Sequence, residues 1–448
     1  MSDDEQGRRV PSSRLSRLGS FSRLASGLAG GMVAEGARRL ASGDRPRLRD
    51  MVLTPGNVAR VADQLAHLRG AAMKLGQMIS MDAGDLLPPE LAEIMGRLRE
   101  RAYRMPPAQL QQVLAAEWGP DWRQRYARFD PAPVAAASIG QVHRATTLDG
   151  RDLAIKVQYP GVVRSIDADI DNVATLLRVS GLLPAGLDIA PLLADAKQQL
   201  RDEADYLREG ALMVRFGALL AGAPSFVVPT LNPDLTTARV LAMSFEEGVA
   251  VETLESAAQD VRDRVMTMLV SLVLRELFEF GVMQTDPNFA NFRYQPSTGR
   301  LVLLDFGAAR PVGPGAQAAY RDLLSAGLAG DRERLKQAAI SGGILMPTTA
   351  DRHVGAIDRV LDVILDQFDR PGPFDFGDRS FVGVLREEAM VVAGDRTAWH
   401  VPPTDMLFVQ RKISGTALLA ARLKARVDVR GLVTRQMALI EGTENTSN

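Results

Sequence analysis

Lys156 is the single charge in Leu153-Ala154-Ile155-Lys156-Val157, an otherwise apolar run with strand character. Burying an ammonium alone is costly, so this lysine must meet water or a counter-charge. The plain alternative is a lysine on an edge strand. Asp286 and Asn291 stand in Gln284-Thr285-Asp286-Pro287-Asn288-Phe289-Ala290-Asn291, and Asp305 opens Asp305-Phe306-Gly307 after an apolar run at 301–304. A carboxylate that ends a buried strand and precedes glycine suits a metal ligand facing phosphates. The step of five from Asp286 to Asn291 matches a phosphoryl-transfer loop in which the aspartate handles the acceptor's proton and the asparagine binds metal. Singly each pattern is weak, since Asp-Pro in a loop is most often a turn. Their conjunction in this order points to phosphoryl transfer.

The elements that must position these residues follow from periodicity. Short strand-like runs at 141–146 and 153–159 flank Asp149-Gly150, a hairpin signal. Helical patterning covers 58–101, with a break at Leu86-Leu87-Pro88-Pro89, and about 107–128. It returns at 164–180 and 189–220, followed by strands near 225–229 and 237–243. A strongly apolar helix at about 258–280 ends at Gly281, and mostly helix follows the strand at 301–304. The order is helical extension, small β-rich lobe, larger helical lobe. The spacing of Lys156, of Asp286 to Asn291 and of Asp305-Phe306-Gly307 is that of kinases: the strand lysine that holds ATP phosphates, the catalytic loop and the metal-binding loop.

Such a lysine needs a glutamate from a helix, and the pattern at 191–217 offers Glu203, Asp205 and Glu209. Read as one continuous helix, Glu203 and Glu209 are six positions apart and face different directions. One could meet Lys156 while the other serves a second site. The phosphate loop departs from the kinase pattern: Ala135, Ala136, Ala137, Ser138, Ile139, Gly140 and Gln141 stand where a glycine-rich loop is expected. Alanines restrict φ and add methyl groups, which predicts a stiffer loop that holds nucleotide in a different geometry. There is no Walker A sequence, which excludes a P-loop enzyme.

Together these residues resemble the UbiB family of atypical, protein-kinase-like proteins (AarF-domain kinases), in its coenzyme-Q-biosynthesis branch. The resemblance covers about 55–440 and adds two further motifs, Lys74-Leu75-Gly76-Gln77 and Glu203-Ala204-Asp205. It implies an α+β, bilobal protein-kinase-like fold, with a small β-rich N-lobe, a helical C-lobe and an N-terminal helical extension. The expected limits are an arm at 1–50, the extension at 51–130, the N-lobe at 131–243 and the C-lobe at 244–448. It implies that Lys156 contacts phosphate and pairs with a helix glutamate, Glu209 in preference to Glu203. Asn291 and Asp305 would ligate Mg²⁺ or Mn²⁺, and Asp286 would be the catalytic-loop aspartate. Lys74 and Gln77 would belong to the extension that covers the peptide site of a protein kinase, with Glu203 and Asp205 meeting it. Adenine recognition would use backbone around 244–248, placing Met243 and Glu246 at the nucleotide. No Ala-Pro-Glu follows Gly307 and no His-Arg pair precedes Asp286, so phosphorylation of proteins in trans is not expected.

The rest of the chain sets bounds. It has 448 residues, a net charge of −1, no cysteine and four scattered histidines. Disulfides, thiolate zinc sites and cysteine nucleophiles are excluded, and no basic field for nucleic acid exists. No apolar run is long enough to span a bilayer. Arg14, Arg17 and Arg23 beside Leu18, Phe21 and Leu24 predict either a solvated arm or a helix leaning on an anionic membrane.

The expected function is a metal-dependent ATP-binding enzyme that supports ubiquinone biosynthesis at a membrane surface. Its expected partners are ATP, a lipid or isoprenoid quinone precursor and ubiquinone-biosynthesis enzymes. A bacterial cytoplasmic protein at the inner membrane is expected, with the mitochondrial matrix as alternative. The competing functions are an ATP-gated lipid-binding or scaffold module with little turnover, and a small-molecule phosphotransferase.

Overall fold

Lys156 sits on the middle strand of an antiparallel sheet, and the hairpin that makes it forms for local reasons. Asp149-Gly150 turns the chain with Gly150 at φ 87°, and Thr147 Oγ1 accepts the Arg151 N–H at 3.0 Å across the turn. The computed structural model describes residues 105–137, 139–179, 190–286, 288–395, 400 and 402–446. Lys74, Gln77, Ser138, the N-terminal arm and most of the extension lie outside the described residues. The chain divides into two units. The first reaches to Arg215 and adds Pro229–Glu246, and the second comprises Phe216–Val228 and everything from Glu247 onward.

In the first unit, helix α1 (Pro107–Trp118) precedes strands β1 (Tyr126–Phe129), β2 (Ala135–Ala136), β3 (Gly140–Thr147) and β4 (Asp152–Gln158). Helices α2 (Val162–Val179), α3 (Ala190–Glu203) and α4 (Tyr206–Leu219) follow, with α4 leading into the second unit. Strand β5 (Phe226–Val227) belongs to the second unit, and β6 (Val240–Ser244) returns to the first sheet. That sheet runs β1-β3-β4-β6, with β2 also on β3, and every pairing is antiparallel. Strand β4 is buried on both faces, as its apolar run requires.

Two expectations are corrected here. The helix predicted over 107–128 stops at Trp118, because Gly119-Pro120 cannot continue it. A 3₁₀ turn at Trp122–Arg125 and strand β1 replace its second half. Trp118, Trp122, Tyr126 and Phe129 form an aromatic cluster with centroids 4.9–6.1 Å apart, tilted at Trp118 and edge-to-face among the other three, and Trp118 Nε1 donates to Leu235 O at 3.0 Å. Strand β1 thus joins the sheet although it precedes the limit expected at 130/131. The helix predicted over 189–220 is also two helices, interrupted at Ala204-Asp205, where Asp205 Oδ1 accepts the Arg208 N–H at 3.0 Å and caps α4.

Beyond β5, the second unit continues with β7 (Val249–Ala250) and helix α5 (Gln259–Arg275), which closes in a π-turn, Glu276–Phe280. Gly281, at φ 59°, ends it in the left-handed conformation that glycine alone adopts at little cost. Strands β8 (Val282–Gln284), β9 (Phe292–Gln295), β10 (Arg300–Leu303) and β11 (Ala309–Pro311) follow. They form a β5-β10-β9-β7 sheet and a separate β8–β11 ribbon. The remainder is α6 (Pro314–Ala329), α7 (Arg332–Ser341), α8 (Pro347–Arg352), α9 (Val354–Asp369), β12 (Phe374–Asp375), α10 (Ser380–Ala393), α11 (Thr404–Arg422), β13 (Arg426–Val427) and α12 (Val429–Thr446).

Candidate functional site

In the first unit, Lys156 Nζ donates to both carboxylate oxygens of Glu209, at 2.9 and 3.0 Å. Lys156 is 6% exposed and Glu209 fully buried. The ammonium also lies 5.2 Å from the Tyr206 ring centroid. The break at Ala204-Asp205 is what separates the two glutamates. Glu203 ends α3, whereas Glu209 sits in the first turn of α4, where a carboxylate also complements the helix dipole. Glu203 is buried as well, while Asp205 is exposed and spends its carboxylate on the cap.

The alanine loop is a tight hairpin. Ala135 and Ala136 pair with Val142 and Gln141, and the Ala137 N–H donates to Gly140 O at 2.9 Å. Ala135 and Ala136 are exposed, and Ile139 is buried, its carbonyl accepting the Tyr159 N–H at 2.9 Å. Gly140 admits no side chain: a Cβ would stand 2.4 Å from Val157 O and 3.0 Å from the Tyr206 hydroxyl. The Gln141 side chain is turned into the core. Its Oε1 accepts the Met105 N–H at 2.8 Å, and its Nε2 meets His143 Nε2 at 2.8 Å. His143 Nδ1 donates to Asp130 O at 2.8 Å, which leaves Nε2 as the acceptor of the Gln141 amide. Burial pushes the His143 pKa down, in keeping with that neutral tautomer. Met243 is buried in β6, and Glu246 Oε1 accepts the Ser244 hydroxyl at 2.8 Å.

In the second unit, Asp286 and Asn291 lie on the loop between β8 and β9, and Asp305 follows β10. The Leu304 N–H donates to Asn291 O at 2.9 Å, which brings the backbone preceding Asp305 against Asn291. Asp286 Oδ1 accepts the Asn288 N–H at 3.3 Å, and Asp305 Oδ1 accepts the Gly307 N–H at 3.0 Å. Thr285 Oγ1 donates to Ala308 O at 2.8 Å, tying the two loops together. Phe306 is buried against Phe216, with centroids 5.0 Å apart, and anchors the Asp305 turn. Asn291 is buried, and its amide nitrogen has no hydrogen-bond partner among the described residues. The Asn291 amide oxygen and the Asp305 carboxylate are each of the oxygen type that a hard cation such as Mg²⁺ takes.

A strand lysine clamped by a helix carboxylate, with an Asp/Asn loop and a second Asp turn, in an α+β chain, defines the kinase-like class. The ABC1 atypical kinase-like domain family matches residues 97–339. Atypical kinase COQ8B, mitochondrial, of Rattus norvegicus is 38% identical over 96% of this chain and 82% of its own length. Atypical kinase COQ8, mitochondrial, of Saccharomyces cerevisiae is 36% identical over 93% and 83%. The solved structure of Rv3197 with erythromycin, from Mycobacterium tuberculosis, matches at a TM-score of 0.59 and 26% identity, covering 82% of this chain and 92% of that one. The chain belongs to the ABC1 (UbiB/AarF-type) atypical kinase-like family, in its coenzyme Q branch, and is an ATP-binding atypical kinase by class.

Proposed function

We propose that the protein is a metal-dependent ATPase or kinase that supports ubiquinone biosynthesis from a membrane surface. The observation that carries this reading is the buried Lys156–Glu209 pair. An ammonium held at 2.9 and 3.0 Å by both oxygens of one carboxylate is fixed in place to neutralise phosphate oxygens. Asn291 and Asp305 would hold Mg²⁺ or Mn²⁺ through oxygen, and the ion would offset charge on the transferring phosphoryl group. Asp286 would accept the proton of the attacking hydroxyl or water. The exposed backbone at Ala135 and Ala136 would approach the phosphates, while Met243 and the chain to Glu246 would meet the base. Lys74, Gln77, Glu203 and Asp205 would regulate access. No helix among the described residues is long and apolar enough to cross a membrane. Contact with anionic lipid would be peripheral, and an isoprenoid quinone precursor would be presented there.

The test is phosphate release from Mg-ATP by purified protein, with and without anionic liposomes and a ubiquinone-precursor-like phenol, beside Asp305→Asn. Turnover that the additives stimulate and Asp305→Asn loses is expected. Tight nucleotide binding without release under any condition would overturn the enzyme reading in favour of a gated binding module.

A further inference from the structure

The second unit holds another buried lysine–glutamate pair, Lys412 with Glu276. Lys412, on α11, is 2% exposed, and Glu276, which opens the π-turn after α5, is 1% exposed. Lys412 Nζ lies 3.3 Å from Glu276 Oε2 and donates to Gln284 Oε1 at 3.1 Å. It also stands 5.4 Å from the centroid of the Phe292 ring. Glu276 Oε1 in turn accepts the backbone N–H of Gln284 at 3.3 Å.

The partners' places in the chain give this cluster its meaning. Gln284 is the last residue of β8 and Phe292 the first of β9. Everything between them is the loop that carries Asp286 and Asn291. One ammonium therefore contacts both feet of that loop. The Gln284 side chain is held through its oxygen, since its amide nitrogen is buried with no hydrogen-bond partner among the described residues. A buried ion pair is a poor source of net stability, because desolvating both charges offsets most of their attraction. What it supplies here is a fixed point at two places on the loop.

We infer that Lys412 is a positioning residue for catalysis: from α11 it fixes the two ends of the 285–291 loop, and so sets where Asp286 and Asn291 stand. The inference rests on the reading of those two residues given above.

The charge-neutral double variant Lys412→Met with Glu276→Gln avoids stranding a buried charge, and Gln284→Met removes the contact while keeping the ion pair. Amide hydrogen exchange of 285–291 and of Leu304, whose N–H bonds to Asn291 O, reads the loop directly. Exchange there at least tenfold faster than in the parent is expected, with protection elsewhere unchanged. In the same proteins kcat for ATP should fall at least tenfold and half-saturation by Mg²⁺ should rise, while affinity for metal-free ATP stays within twofold. A merely structural pair would shift the melting temperature without that split. If either variant folds and keeps loop exchange, kcat and Mg²⁺ dependence within twofold of the parent, the inference is overturned. Asn291→Ala and Asp305→Asn run in parallel separate the two failures. If they leave Mg²⁺ dependence intact, the metal reading falls, and loop exchange alone then decides the role of Lys412.

Discussion

Glu209 is fully buried and gives both of its carboxylate oxygens to one ammonium, that of Lys156. Removing either partner takes a two-oxygen ion pair from a charge that stays buried. Lys156→Met or Glu209→Gln alone should therefore cost about 3–5 kcal/mol. The double variant should recover much of that loss while remaining without turnover. Thermal unfolding and phosphate release, measured on all three proteins, check both halves. A double variant that regained activity would show that the pair serves folding only.

The hairpin that precedes Lys156 combines one glycine that cannot change with two alanines that can. Gly140→Ala would press a methyl onto Val157 O, so it should lose about 1–3 kcal/mol of stability. Ala136→Gly meets no such contact. It loosens an exposed strand residue at about 0.5–1 kcal/mol, and should chiefly change nucleotide affinity or autophosphorylation. Melting temperatures separate the first effect, and titration with ATP the second. Unchanged affinity and autophosphorylation in Ala136→Gly would reject a restraining role for the alanines.

These contrasts show what one sequence makes legible. The Asp149-Gly150 hairpin, the helix ending at Gly281 and the loops around Asp286 and Asp305 were readable because each is specified by residues close together in the chain. The strand at Tyr126–Phe129 was not, since it is defined by pairing with Ala145–Thr147 and by an aromatic cluster. The separation of Glu203 from Glu209 is not legible in periodicity, because α3 and α4 continue one helical pattern. The signal that could have separated them is Asp205, a capping residue type three positions before the N–H it accepts from Arg208. Lys412 carried no local signal, because its contact with Gln284 spans 128 positions.

His143 gives the fold a defined pH response. In the folded protein its Nδ1 donates to Asp130 O and burial holds its pKa below the ordinary 6.5. The unfolded chain takes up the proton first as pH falls, so the contribution is fully present above pH 6.5 and is lost below it, until the folded-state pKa is reached. The slope in that window is at most about 1.4 kcal/mol per pH unit. Unfolding in denaturant between pH 8 and 5 should show the loss. In His143→Gln that component of the slope should disappear, and an unchanged slope would assign the acid sensitivity to other groups.

Asp286 separates chemistry from shape. Its Oδ1 accepts the Asn288 N–H, and asparagine keeps an oxygen in that position, so Asp286→Asn preserves the turn while removing the carboxylate. The variant should bind Mg-ATP with nearly parental affinity and release phosphate at least ~100-fold more slowly, the scale expected for losing a general base. The Lys156→Met, Glu209→Gln double variant should instead lose nucleotide binding itself, because the proposed phosphate contact is gone. In cells that lack their own copy and fail to make ubiquinone, neither variant is expected to restore synthesis. Restoration by Asp286→Asn but not by the double variant would mean that nucleotide occupancy, and not its turnover, does the work. The search for a phosphorylated product would then give way to one for the lipid or enzyme that the nucleotide-bound form holds.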